Sequence, residues 1–165
     1  MLSKPIVLIG PMGVGKTTIG KKLAKRLGLS FVDTDVLVTK SHGPIPEIFA
    51  SKGEATFRAY EEEAVAHALS EVQVIATGGG AVLSGKTQRN LANAIVIYLS
   101  TNGKHMKSRL EKGNRPLLKN GMEDWNRIYD ERKPLYESIC TFEIETSEVG
   151  LAQTISNICE KLDSL

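Results

Sequence analysis

The chain has 165 residues, 41% hydrophobic and 24% charged, with a net charge of +2. That balance suits one globular domain, here taken as residues 1–165, and excludes a disordered chain. The small net charge gives no reason to expect nucleic acid or an anionic membrane as a partner. Cys140 and Cys159 have no metal-ligand spacing, and His42, His67 and His105 lie far apart in the sequence, so we expect small buried thiols in a reducing cytosol rather than disulfide or metal chemistry. The opening MLSKPIVLIG is too short for a signal sequence and no run approaches the ~18 apolar residues of a membrane span, which makes a cytoplasmic protein the expectation.

In chain order, PIVLI (5–9) reads as a buried strand. It runs into GPMGVGKT (10–17), a complete G-x-x-x-x-G-K-T phosphate loop. Gly10, Gly13 and Gly15 allow a tight backbone whose N–H groups converge on phosphate oxygens. Lys16 reaches the outer phosphates and the Thr17 hydroxyl reaches Mg²⁺. A helix follows, with Ile19, Leu23 and Leu27 at helical period and a stop at Gly28, and it aims its positive end at the same anion. The ligand this predicts is ATP.

SFVD (30–33) reads as the second strand and places Asp33 and Asp35 at its end. If the strand continues, alternation puts both on one side, where Asp33 meets magnesium through water and Asp35 accepts from a substrate hydroxyl. Equally, these aspartates cap a helix starting near Val36. SHGPIPE (41–47) reads as a mobile flap. Residues 55–69 read as helix, with Phe57, Ala64, Val65 and Leu69 inward. Arg58 precedes Glu61 and Glu62 by three and four residues, and spacing alone favours a helix-surface ion pair.

VQVIA (72–76) is the third strand and ends in Thr77-Gly78-Gly79-Gly80, a stretch without side chains where something approaches the backbone. Many phosphate-loop proteins carry a magnesium-managing carboxylate at such a strand end, and its absence here argues against a motor ATPase. No guanine-reading Asn-Lys-x-Asp occurs either. AIVIYL (94–99) and TFEIE (141–145) complete five strands alternating with helices, which predicts a parallel α/β sheet. Between them, residues 111–122 hold Gly, Pro and Arg115 and read as a lid. Arg132 lies in a charged helical run that would by itself pass as a solvated face, and Trp125, Tyr129 and Tyr136 read as packing residues.

Together, GPMGVGKTTIG, FVDTD, GEATFRAYEEE, ATGGGAVL, NRPLL and DERKPLY fall in the order and approximate spacing of the shikimate kinase family, a resemblance covering Ile6 to about Thr146. It implies a three-layer phosphate-loop NTPase fold, with a five-stranded parallel sheet, helices on both faces, an acceptor-binding region over about 34–60 and a flexible lid over about 111–122. The activity implied is transfer from ATP, with Mg²⁺, to the 3-hydroxyl of shikimate. By the same resemblance Gly13, Val14, Gly15, Lys16, Thr17, Thr18, Arg109 and Arg115 hold the nucleotide, with Arg109 against adenine. Thr17 and Asp33 serve the metal. Asp35, Arg58, Gly78, Gly79, Gly80 and Arg132 hold the acceptor, the two arginines on its carboxylate, and Lys16, Asp35 and Arg115 are catalytic. A monomer is the family default. The alternatives are a kinase for another polyhydroxy acid such as gluconate, and a non-catalytic ATP-binding protein on the same fold.

Overall fold

The structure, a computed structural model, describes residues 2–111 and 115–165. The five apolar runs all form strands: β1 (Ile6–Ile9), β2 (Phe31–Asp33), β3 (Val74–Ala76), β4 (Ile95–Ser100) and β5 (Phe142–Glu145). They pair in parallel in the order β2-β3-β1-β4-β5, with Leu8 opposite both Ala76 and Ile97. The inner strands β1 and β3 are wholly buried because both faces of the sheet are covered, which is why they read as unbroken apolar runs.

Alternate residues of β1 supply two separate cores. Ile6 and Leu8 pack under α1 (Lys16–Leu27) and α8 (Leu151–Asp163), with Leu23 and Ile158 fully buried. Val7 and Ile9 face the opposite layer, which includes Ala68, Leu91, Trp125, Tyr129 and Tyr136 from α4 (Glu54–Ala68), α5 (Gly85–Leu91) and α7 (Met122–Ile139). Helix α1 stops where expected: Gly28, at φ +68°, returns its N–H to the carbonyls of Ala24 and Lys25.

Three expectations are corrected. The stretch 41–47 is not a flap. It belongs to α2 (Thr34–His42) and α3 (Ile45–Lys52), broken only at Gly43-Pro44 and anchored by a small core of Val38, Ile48 and Phe57. Helix α2 begins at Thr34, not near Val36, so β2 ends at Asp33 and strand alternation does not reach Asp35. The cysteines are free but half-buried rather than enclosed. No helix among the described residues is long and apolar enough to cross a membrane.

Candidate active site

The phosphate loop turns sharply out of β1. Gly10 has φ +146°, and a Cβ there would stand 2.5 Å from the Leu99 carbonyl oxygen, so both conformation and space demand glycine. Gly13 and Gly15 also have positive φ, and α1 starts at Lys16, leaving its first N–H groups directed at the loop. Lys16 is buried, and its Nζ donates to the Gly10 and Pro11 carbonyls at 2.6 and 2.8 Å. Burial lowers its pKa from 10.5 to about 8, helped by Arg115 and Arg132 and opposed by Asp35 and Asp33. Arg109, in α6 (Met106–Leu110), donates to the Gly13 carbonyl at 3.1 Å and so lies against the loop.

Asp33 caps α2 as its spacing allowed, and it also contacts the phosphate loop. One oxygen accepts from the Asp35 N–H at 2.9 Å and caps α2, and the other accepts from the Thr17 hydroxyl at 2.6 Å. The cap carries Asp35 into the first turn of α2, toward the glycines. There burial raises its pKa, Asp33 adds to the rise, and Lys16, Arg58 and Arg115 oppose it.

Gly78 and Gly80 are needed for space rather than for φ. A Cβ on Gly78 would stand 2.6 Å from Glu61 Oε2 and 3.0 Å from Asp35 Oδ1, and one on Gly80 would run into the Arg58 guanidinium. The expected ion pair at Arg58 exists: Nη1 donates to Glu61 Oε1 at 2.8 Å. Glu61 is only 2% exposed, however, so this is a buried brace and not a surface pair. Burial raises the Glu61 pKa and Arg58 opposes it. Arg132, far from a solvated face, is 8% exposed.

Two cavities meet here. One, of about 520 Å³, is lined by Gly13, Val14, Gly15, Lys16, Thr17, Thr18, Asp33 and Arg109, and continues to Thr146, Val149, Leu151 and Thr154. The other, of about 380 Å³, is lined by Arg58, Glu61, Gly80 and Arg132, with an apolar wall from Pro44 to Phe57. Met12, Asp35, Gly78, Gly79 and Arg115 border both. Every residue that the resemblance assigns to the site therefore lines one cavity or the other. Met12 and the Thr146–Thr154 end were missed, and Pro44, Ile45, Pro46 and Phe49, though inside the expected acceptor-binding region 34–60, were not singled out, because none carries a local signature. Of the lid segment 111–122, residues 112–114 lie outside the described residues; Arg115, Pro116 and Leu117 border the smaller cavity.

The larger cavity, on the phosphate loop, suits a polyphosphate. The smaller suits an acceptor with a carboxylate for the arginine forks and hydroxyls for Asp35. A family model described as shikimate kinase matches residues 12–163. The shikimate kinase of Saccharopolyspora erythraea is 42% identical over 166 residues, 98% of this chain and 95% of that protein. That of Streptomyces coelicolor is 45% identical over 145 residues, 86% of this chain and 85% of that protein. Among solved structures, shikimate kinase from Acinetobacter baumannii in complex with shikimate superposes with a TM-score of 0.93 at 35% identity, covering 98% of this chain and 93% of that one.

Proposed function

Since the chain belongs to the shikimate kinase family and phosphorylates shikimate with ATP, we propose how its own residues divide that work. The observation that carries the assignment is the junction of the two cavities at Asp35, Gly78, Gly79 and Arg115. Phosphates lie on the loop from Gly13 to Thr18, where backbone N–H groups and the α1 N-terminus meet them. The nucleoside extends past Arg109 toward Thr146 and Val149. In the smaller cavity Arg58 and Arg132 grip the shikimate carboxylate, Gly78 to Gly80 form the wall against its ring, and Asp35 accepts from the 3-hydroxyl.

During transfer the 3-hydroxyl oxygen bonds to the γ-phosphorus, the bond from that phosphorus to the ADP oxygen breaks, and the hydroxyl proton passes to the Asp35 carboxylate. The raised pKa of Asp35 suits it to take that proton. Lys16 leaves the Gly10 and Pro11 carbonyls for the γ-phosphate, and Arg115, bordering both cavities, neutralises charge spread over the transferred oxygens.

Thr17 and Asp33 fit magnesium: their hard oxygens lie 2.6 Å apart beside the loop, a pair of the kind that Mg²⁺ takes alongside phosphates and water. Thr17 and Asp33 would hold the ion, which would supply neutralisation of the phosphate charge during transfer. We propose a monomer, as the family resemblance implies, acting in the cytoplasm.

A coupled ADP-release assay with shikimate, gluconate, nucleoside monophosphates and no acceptor tests the assignment. Turnover with shikimate alone is expected; turnover with gluconate or a nucleotide but not with shikimate would defeat it, as would ATP binding without any transfer.

A further inference from the structure

Helix α7 carries more than Arg132. On its buried face, eleven residues and so about three helical turns apart, stand Trp125 and Tyr136. Trp125 is 2% exposed, and its indole N–H donates to the Met12 carbonyl at 2.8 Å. Tyr136 is 1% exposed, and its hydroxyl donates to the Gly79 carbonyl at 2.5 Å. One acceptor lies in the phosphate loop and the other in the glycine wall.

These two backbone segments meet between the cavities. A Cβ on Gly79 would stand 3.4 Å from both the Met12 backbone nitrogen and Met12 Cγ, and Met12 and Gly79 both border the nucleotide and acceptor cavities. The helix that donates to them is itself held in place. Between the two donors, Tyr129 pairs its hydroxyl with that of Tyr98 at 2.6 Å and accepts from the Thr101 N–H at 3.3 Å, tying α7 to β4. The Trp125 and Tyr129 rings pack edge to face at 5.2 Å, and Tyr98 and Tyr136 stack at 5.2 Å.

Any buried indole or phenol seeks an acceptor, so hydrogen bonding alone would mean only a satisfied core. The choice of acceptors says more. One rigid helix face grips the two segments whose separation sets the distance between donor phosphate and acceptor hydroxyl. We propose that Trp125 and Tyr136 are positioning residues, Trp125 for the phosphate loop and Tyr136 for the glycine wall, which hold the two substrates in register for transfer. This rests on the assignment of ATP to the larger cavity and shikimate to the smaller.

The test is full steady-state kinetics of Trp125→Phe and Tyr136→Phe, varying ATP and shikimate in turn. Losing one such hydrogen bond amounts to about a threefold to tenfold effect. Trp125→Phe is expected to raise KM for ATP by about that factor while KM for shikimate stays within about twofold, and Tyr136→Phe is expected to do the reverse. KM does not depend on the fraction of enzyme that is folded, so a partly unfolded variant still reports. Should Trp125→Phe give no soluble protein, Tyr136→Phe decides by the same criterion. Any other pattern overturns the inference, including a lowered Tm with both KM values unchanged, or both raised alike. Wild-type enzyme inactive on shikimate would overturn the functional assignment and this inference with it, whereas active wild type with unsplit variants overturns the inference alone.

Discussion

Arg58 and Glu61 form a buried ion pair, Nη1 to Oε1 at 2.8 Å, while Glu61 Oε2 has no hydrogen-bond partner among the described residues and faces Gly78. One carboxylate thus fixes the guanidinium against the glycine wall. A hydrogen bond to a charged group is worth roughly 1.5–3 kcal/mol. Glu61→Gln is therefore expected to raise KM for shikimate by about tenfold or more, with KM for ATP nearly unchanged. Initial-rate kinetics with each substrate varied in turn check this, and an equal rise in both would remove the brace from the account.

Gly80→Ala places a methyl group in the Arg58 guanidinium, so the arginine must leave its place against the glycine wall. Shikimate affinity should fall by about tenfold or more while ADP affinity is kept. Gly85→Ala is the matched control, because a Cβ there meets only Arg89 Nη1 at 3.5 Å; its stability should change by no more than about 0.5 kcal/mol. Calorimetric titration of both variants separates the two outcomes.

Asp35 gives opposite signs for stability and activity. Burial raises its pKa in the folded protein, so over the window above its unfolded pKa the folded state binds more protons, and stability falls as pH rises through that window. Once ionised, Asp35 is thus a destabilising group. Asp35→Asn should raise Tm at pH 7, with the advantage over wild type shrinking as pH is lowered, while turnover falls by about 10²-fold or more. Unchanged turnover would strip Asp35 of its role as base.

Lys16 makes a second pH prediction. Its folded pKa, about 8, lies below the ordinary 10.5, so above pH 8 the free enzyme increasingly presents a neutral amine to the incoming phosphates. The profile of kcat/KM for ATP should break downward near pH 8. The kcat profile should stay level to higher pH, because bound phosphate raises the lysine pKa again. Coincident breaks in the two profiles would mean that Lys16 does not meet phosphate.

Much of this was legible in the sequence because it is local. A phosphate loop is one turn between a strand and a helix, and the five strands announce themselves as apolar runs covered on both faces. The residues that resisted are those whose meaning depends on distant partners. By spacing alone Arg58 reads as a helix-surface ion pair and Arg132 as a solvated charge; only the family pattern sets them on the acceptor, and the fold brings α4 and α7, distant in sequence, to one cavity. Asp33 could be a cap or a metal residue by spacing; in the fold one oxygen caps α2 and the other meets the Thr17 hydroxyl. The stretch 41–47 looked loose because Gly43 and Pro44 stand in it, whereas tertiary packing of Val38, Ile48 and Phe57 holds helices on either side. Trp125 and Tyr136 had only the signature of a core, since nothing in a sequence says which carbonyl a buried donor will find.

The central claim is that one substrate's phosphates and the other's hydroxyl meet at Asp35, Gly78, Gly79 and Arg115. A crystal structure of the complex with ADP, Mg²⁺ and shikimate tests it most directly. The account predicts phosphates on Gly13 to Thr18, the shikimate carboxylate between Arg58 and Arg132, and its 3-hydroxyl on Asp35 facing the β-phosphate. Shikimate bound elsewhere, or bound there with its carboxylate turned away from both arginines, would contradict it.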